Sequence, residues 1–101
     1  MKIIFLPYAG EPEIRDIPYT DEAFKEQIGD DFSFIGIGRL GDLFAFAFNA
    51  NQKRLDVAMC NKNIELFTVF GNAFVCGVGG GEIPKRLLQL FGLEDKEALD
   101  K

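Results

Sequence analysis

The stretch DLFAFAFN, from Asp42 to Asn49, is apolar between its ends and alternates Phe with Ala from Phe44 to Phe48. Side chains along a strand point alternately to opposite faces. Phe44, Phe46 and Phe48 therefore share one face, and Leu43, Ala45 and Ala47 the other. Both faces are apolar, so the sheet that holds this strand needs cover on each side. The small alanine face predicts a helix in close approach there. The preceding FSFIGIG, Phe32 to Gly38, reads as its hairpin partner across the turn RLGD. Phe32 and Phe34 lie on the same face as Gly36 and Gly38, which predicts aromatic rings lying across bare backbone. The two strands are expected at the centre of the sheet.

The flanking segments supply the rest of an α+β domain. KIIFLP (Lys2 to Pro7) reads as a strand closed by proline, YAGEP as a turn, and EIRDIPY (Glu13 to Tyr19) as the hairpin partner. TDEAFKEQIG is the clearest helix. Thr20 suits the N-cap, Asp21 and Glu22 favour the positive end of the dipole, and Tyr19 and Phe24 are spaced as a hydrophobic staple. Ala23, Phe24 and Ile28 make its apolar stripe, and Gly29 suits its left-handed end. LDVAMC (Leu55 to Cys60) alternates like a strand. Ile64 to Val78 is too long for one strand and is expected to bend near Gly71-Asn72. A second helix is predicted over Pro84 to Phe91, with Gly92 and Leu93 closing it in a Schellman motif. The fold class is α+β: a single mostly antiparallel β-sheet of five or six strands with two helices packed on it. Residues 1–93 form the domain, and 94–101 a charged C-terminal tail.

Composition removes several chemistries. The 101 residues include eleven Phe and no His. The rings supply a core without disulfides or metal. Without His, no Ser-His-Asp or Cys-His pair can form within the chain, and no His-based pH switch. A zinc site would need four ligands from Cys60, Cys76 and carboxylates, an unusual set. Both cysteines sit in apolar runs and are expected as buried, reduced thiols. A disulfide between adjacent strands stays open, because spacing alone does not set geometry. No catalytic, cofactor-binding or metal-binding residue is assigned. The longest uncharged stretch, Leu66 to Gly81, has 16 residues and five glycines. It falls short of the roughly 20 that a membrane helix needs. No signal peptide is evident, and a cytoplasmic protein is expected.

Glycine crowds the stretch FVCGVGGGEIPK, Phe74 to Lys85. Gly77-Val78-Gly79 opens like a dinucleotide fingerprint, but Glu82 occupies the third glycine position. A carboxylate there repels a phosphate from the helix start. The phosphate-loop signature fails as well, because no Gly-Lys-Ser or Gly-Lys-Thr follows. The run reads as a turn that sends the last strand back into the second helix.

Net charge is −5 and uneven. Residues 1–35 carry three basic and eight acidic groups, and residues 36–92 carry six and four. The acidic stretch Glu11 to Asp31 repels nucleic-acid phosphates, and reads either as a solvated face or as an imitation of a phosphate row. Asp30-Asp31 reads as a turn rather than an acid–base pair. Arg39, Lys53, Arg54 and Lys62 fall in turns of the basic middle segment, as partner-binding candidates. With Phe44 or Phe46 as stacking platforms they would suit a nucleic acid; otherwise they are solvated charges over core rings. In an antiparallel pair, Arg39 and Lys53-Arg54 fall at opposite ends of the sheet.

With this layout the chain resembles a family known as a domain of unknown function, made of small proteins from bacteria, phages and other mobile elements. The resemblance is carried by MKIIFLPYAGEPEIRDI, TDEAFKEQIGDDFSFIGI, FNANQKRLDVAMCNKN and FTVFGNAFVCG, followed by a closing helix. It spans nearly the whole chain. Relatives carry a Pro-Pro-Asn-Arg-like stretch where this chain has AMCNKN, which adds Asn61 to the partner-binding candidates. Lys62 replaces the arginine, and the two are not equivalent at a forked contact. The resemblance implies a mobile-element origin and no particular chemistry. The expected function is a non-enzymatic protein-interaction module that binds a protein partner or itself. The alternative is a nucleic-acid-binding accessory protein using the basic turns.

Overall fold

The computed structural model describes residues 1–39, 42–55, 57–64, 68–77, 81–83 and 85–93. Among these, five strands form one sheet: β1 (Lys2–Leu6), β2 (Glu13–Asp16), β3 (Phe32–Arg39), β4 (Asp42–Asn49) and β5 (Ala73–Gly77). Their spatial order is β2-β1-β5-β4-β3, and every neighbouring pair is antiparallel. Helices α1 (Asp21–Ile28) and α2 (Lys85–Leu90) cover opposite faces. The α+β class stands, with five strands and two helices. The tail over 94–101, Pro84 and the tip of the β3–β4 turn lie outside the described residues.

Local sequence accounts for α1. Thr20 is extended, and its hydroxyl accepts from the Ala23 amide at 3.2 Å. Tyr19 meets Phe24 edge-on, with centroids 5.6 Å apart, so the staple is formed. The helix stops at Gly29, where φ is +84° and the amide donates to the Lys25 carbonyl at 2.6 Å. A side chain at that φ would be strained, which is why glycine ends the helix. Helix α2 closes as its sequence predicts: the Leu93 amide donates to Leu88 at 2.8 Å and the Gly92 amide to Gln89 at 3.1 Å.

The period-two pattern assigns the faces correctly. Ala47 is buried against α1, with Ile3, Phe5, Phe74 and Cys76. Phe24 of α1 is surrounded by Phe32, Phe34 and Phe74 at centroid distances of 5.4 to 5.6 Å. Phe46 lies on the other face with Ile4, Leu6, Val75 and the α2 residues Leu87 and Leu88. Full burial of such side chains contributes about 1.5–3 kcal/mol each.

Three expectations change. β3 is not central: it is the outermost strand, and β5, buried along its whole length, holds the middle. Apolar alternation reports which face a residue takes, not the strand's rank within the sheet. Next, Leu55 to Cys60 is not a sixth strand. Gln52–Arg54 and Val57–Met59 form single 3-10 turns, and Cys60 makes an isolated bridge to Phe70. Both sides of β4 are occupied by β3 and β5, so no ladder remains there for this segment. Finally, no ring lies over Gly36, where an added Cβ would meet nothing within 4 Å. Phe34 leans on Phe24 and Phe74 instead.

The glycine run behaves as a turn at its described ends. A Cβ on Gly77 would sit on the backbone carbonyls of Gly81 and Glu82. Here glycine is required by close approach of backbone, not by a ligand. Gly77→Ala should therefore cost about 1–3 kcal/mol in urea unfolding, while Gly36→Ala in the same assay leaves stability unchanged to within about 0.5 kcal/mol.

Candidate functional site

The expected contact residues do not converge. Arg39 pairs through its backbone with Asp42 at one end of the β3–β4 ladder, and Phe32 pairs with Asn49 at the other. Lys53 and Arg54 follow that second end, in the turn after β4. The eight residues of β4 thus hold Arg39 and Lys53 about 23 Å apart, at roughly 3.3 Å per residue. Lys62 is exposed and stands in a turn near the end of β1, where Asn63 Nδ2 donates to the carbonyls of Pro7 and Gly10. β1 ends at Leu6 opposite Ala73, which in turn lies opposite Phe48. Lys53, Arg54 and Lys62 therefore share one end of the sheet. Asp30 shares it with them, its carboxylate accepting from Asn51 Nδ2 at 3.2 Å, as does Asp31, whose carbonyl accepts from the Ala50 amide. The signs are mixed there.

Asn61 is not a surface contact. It is 1 % exposed. Its Nδ2 donates to the carbonyls of Leu6 at 2.8 Å and Gly71 at 2.9 Å, and its Oδ1 accepts from the Asn63 amide at 3.0 Å. Its own amide donates to Val69 at 2.7 Å. These bonds tie the end of β1 to the loop before β5, so Asn61 belongs among the residues that hold the fold.

Phe46 is buried and unavailable for stacking. An open cleft of about 540 Å³ borders the end of β4, lined by Phe48 to Lys53. The Gln52 side-chain Oε1 accepts from the Phe70 amide at 3.1 Å, and its Nε2 is buried without a partner. Both cysteines are free thiols; Cys76 is buried and Cys60 half-buried. Burial pushes the Cys76 thiol above its ordinary pKa, the opposite of a reactive cysteine. No group of three potential metal ligands forms among the described residues. No helix among them is long and apolar enough to cross a membrane.

The feature that the sequence reading missed is the outer edge of β3. Asp31 accepts from the Ala50 amide at 2.8 Å, directly across the ladder. Hydrogen-bonded pairs alternate in an antiparallel ladder. Ser33, Ile35, Ile37 and Arg39 therefore turn their backbone groups toward β4. Phe32, Phe34, Gly36 and Gly38 turn theirs outward, and no strand of the described residues lies beyond. Phe34 is 40 % exposed and Ile35 45 %, one on each face of the strand. From Phe32 to Gly38 there is neither a charge nor a proline, the usual guards of an open edge. The opposite edge is guarded: β2 has four residues, three of them Glu13, Arg15 and Asp16, and follows Pro12. No family model, characterised protein or solved structure matches this chain.

Proposed function

We propose that the protein is a non-enzymatic protein-interaction module whose contact element is the open edge of β3. One observation carries this reading: an eight-residue edge strand, unguarded from Phe32 to Gly38, that exposes Phe34 and Ile35. Such an edge offers main-chain hydrogen bonds to an extended strand, and its alternating side chains supply selectivity. The lack of histidine removes the commonest acid–base and nucleophile pairs. Nucleic-acid binding through Lys53, Arg54 and Lys62 is the weaker alternative, because Asp30 and Asp31 share that end of the sheet. The sequence resemblance extends the proposal to an accessory protein of a phage or other mobile element, acting in the cytoplasm.

Ile35→Lys tests the edge. A lysine at this half-exposed site keeps its stem on the sheet and its charge in water. In a complex it would be buried without a partner, at about 2 kcal/mol or more, roughly a thirtyfold loss of affinity. Nuclease-treated lysate passed over the wild-type chain should yield bound protein that the variant fails to hold. Salt-dependent retention on immobilised nucleic acid, equal in both chains, would sink the reading.

A further inference from the structure

Building on β3 as a contact edge, we infer that its occupant is the β3 strand of a second copy, paired antiparallel about a two-fold axis at Ile35. The outward backbone groups belong to Phe32, Phe34, Gly36 and Gly38, so a hydrogen-bonded pairing must match these residues with one another. With Ile35 on the axis, Phe34 stands opposite Gly36 of the second copy and Phe32 opposite its Gly38. Ser33 stands opposite Ile37, and Asp31 opposite Arg39.

The Phe–Gly and Asp–Arg matches and the Ile35 pair are complementary. Gly36 has open space where its Cβ would be, and Phe34 is 40 % exposed on the same face. The bare glycine leaves room beside the outer side of that ring, which keeps its contacts with Phe24 and Phe74. Exposed Ile35 meets its own copy in a non-hydrogen-bonded pair, where side chains approach most closely. In this register the acidic position 31 falls opposite the basic position 39 at both ends. Asp31 is held in the single chain by Lys25 at 3.4 Å, an exposed contact of little strength. Neighbouring registers keep only one kind of Phe–Gly match each and lose both the Ile35 pair and the charge match. Centring on Phe34 sets ring against ring and Arg39 against Gly29; centring on Gly36 sets glycine against glycine and Arg39 against Ser33. The guarded β2 edge offers no second joint, so the assembly closes at two copies as a ten-stranded sheet.

Sedimentation of the full chain over a concentration series should show a reversible dimer. Asp31→Arg or Arg39→Asp places like charges opposite each other at both ends, and should weaken the dimer roughly five- to thirtyfold. The two substitutions together should restore it to within about threefold, which misfolding would not do. In a Cys60→Ser chain, Ile35→Cys should form a disulfide dimer on oxidation, because α-carbons across the axis lie about 4.5 Å apart. Ser33→Cys should not, since its two copies stand about four residues, or roughly 13 Å, out of register. A monomer at every concentration overturns the inference. So does failure of the paired charge reversal, or cross-linking at Ser33 in place of Ile35. Monomeric behaviour together with protein capture that Ile35→Lys abolishes would leave the edge-contact reading standing. Capture that survives Ile35→Lys overturns that reading as well.

Discussion

Asn61→Ala should lower the unfolding free energy by about 3–5 kcal/mol, because it strands the carbonyls of Leu6 and Gly71 and the amide of Asn63 at one buried point. A chain of this size has about 5–15 kcal/mol in total, so the variant would sit near the threshold of folding. Thermal unfolding should show a Tm drop of about 15–30 °C. Asn61→Asp separates hydrogen bonding from packing. It keeps the size and the acceptor for Asn63, but turns a carboxylate on two carbonyl oxygens. Its deficit should be as large at neutral pH and shrink on acidification, since the protonated carboxyl can donate to one of them. In linkage terms the folded form then binds the extra proton, so stability falls as pH rises. A Tm for Asn61→Ala within about 3 °C of wild type would show that water replaces the side chain and that the tie is dispensable.

Phe74→Ala comes next. Phe74 is fully buried on the central strand β5, and its ring touches Phe24 of α1 at 5.6 Å and Phe34 of β3 at 5.9 Å. Truncation removes the ring and leaves a cavity that flanking rings cannot fill, at about 3–5 kcal/mol. Denaturant titration should show a lower midpoint with an unchanged slope. Phe24→Ala combined with Phe74→Ala should reveal a coupling of about 0.5–1.5 kcal/mol, the share due to the ring pair beyond burial. Coupling of zero would mean that the two rings contribute to separate parts of the core.

Features legible in the sequence are those decided within a few residues. Thr20, the Tyr19–Phe24 staple and Gly29 define α1 because capping acts between residues three to five apart. Ala45 and Ala47 against Phe44, Phe46 and Phe48 sort the faces of β4 because pleating has period two. The Schellman closure of α2 at Gly92-Leu93 is equally local. Leu55 to Cys60 shows the limit. Its alternation matches a strand, yet a strand forms only beside a free ladder, and β4 had none to give. Asn61 shows another. An asparagine between turn residues reads as surface, and nothing near it in sequence reveals that Leu6, 55 residues away, needs its amide.

The sequence by itself determined both helices, the five sheet strands, the two faces of β4 and the absence of histidine chemistry, because each depends on neighbours along the chain or on composition alone. Only the tertiary structure decided which strand lies outermost. β1 pairs with β5 across some seventy residues of chain, and that distant closure put β5 in the middle and left β3 with one neighbouring strand among the described residues. FSFIGIG carries the same apolar pattern whether a second strand or solvent stands beside it, since main-chain hydrogen bonding leaves no mark on side-chain alternation.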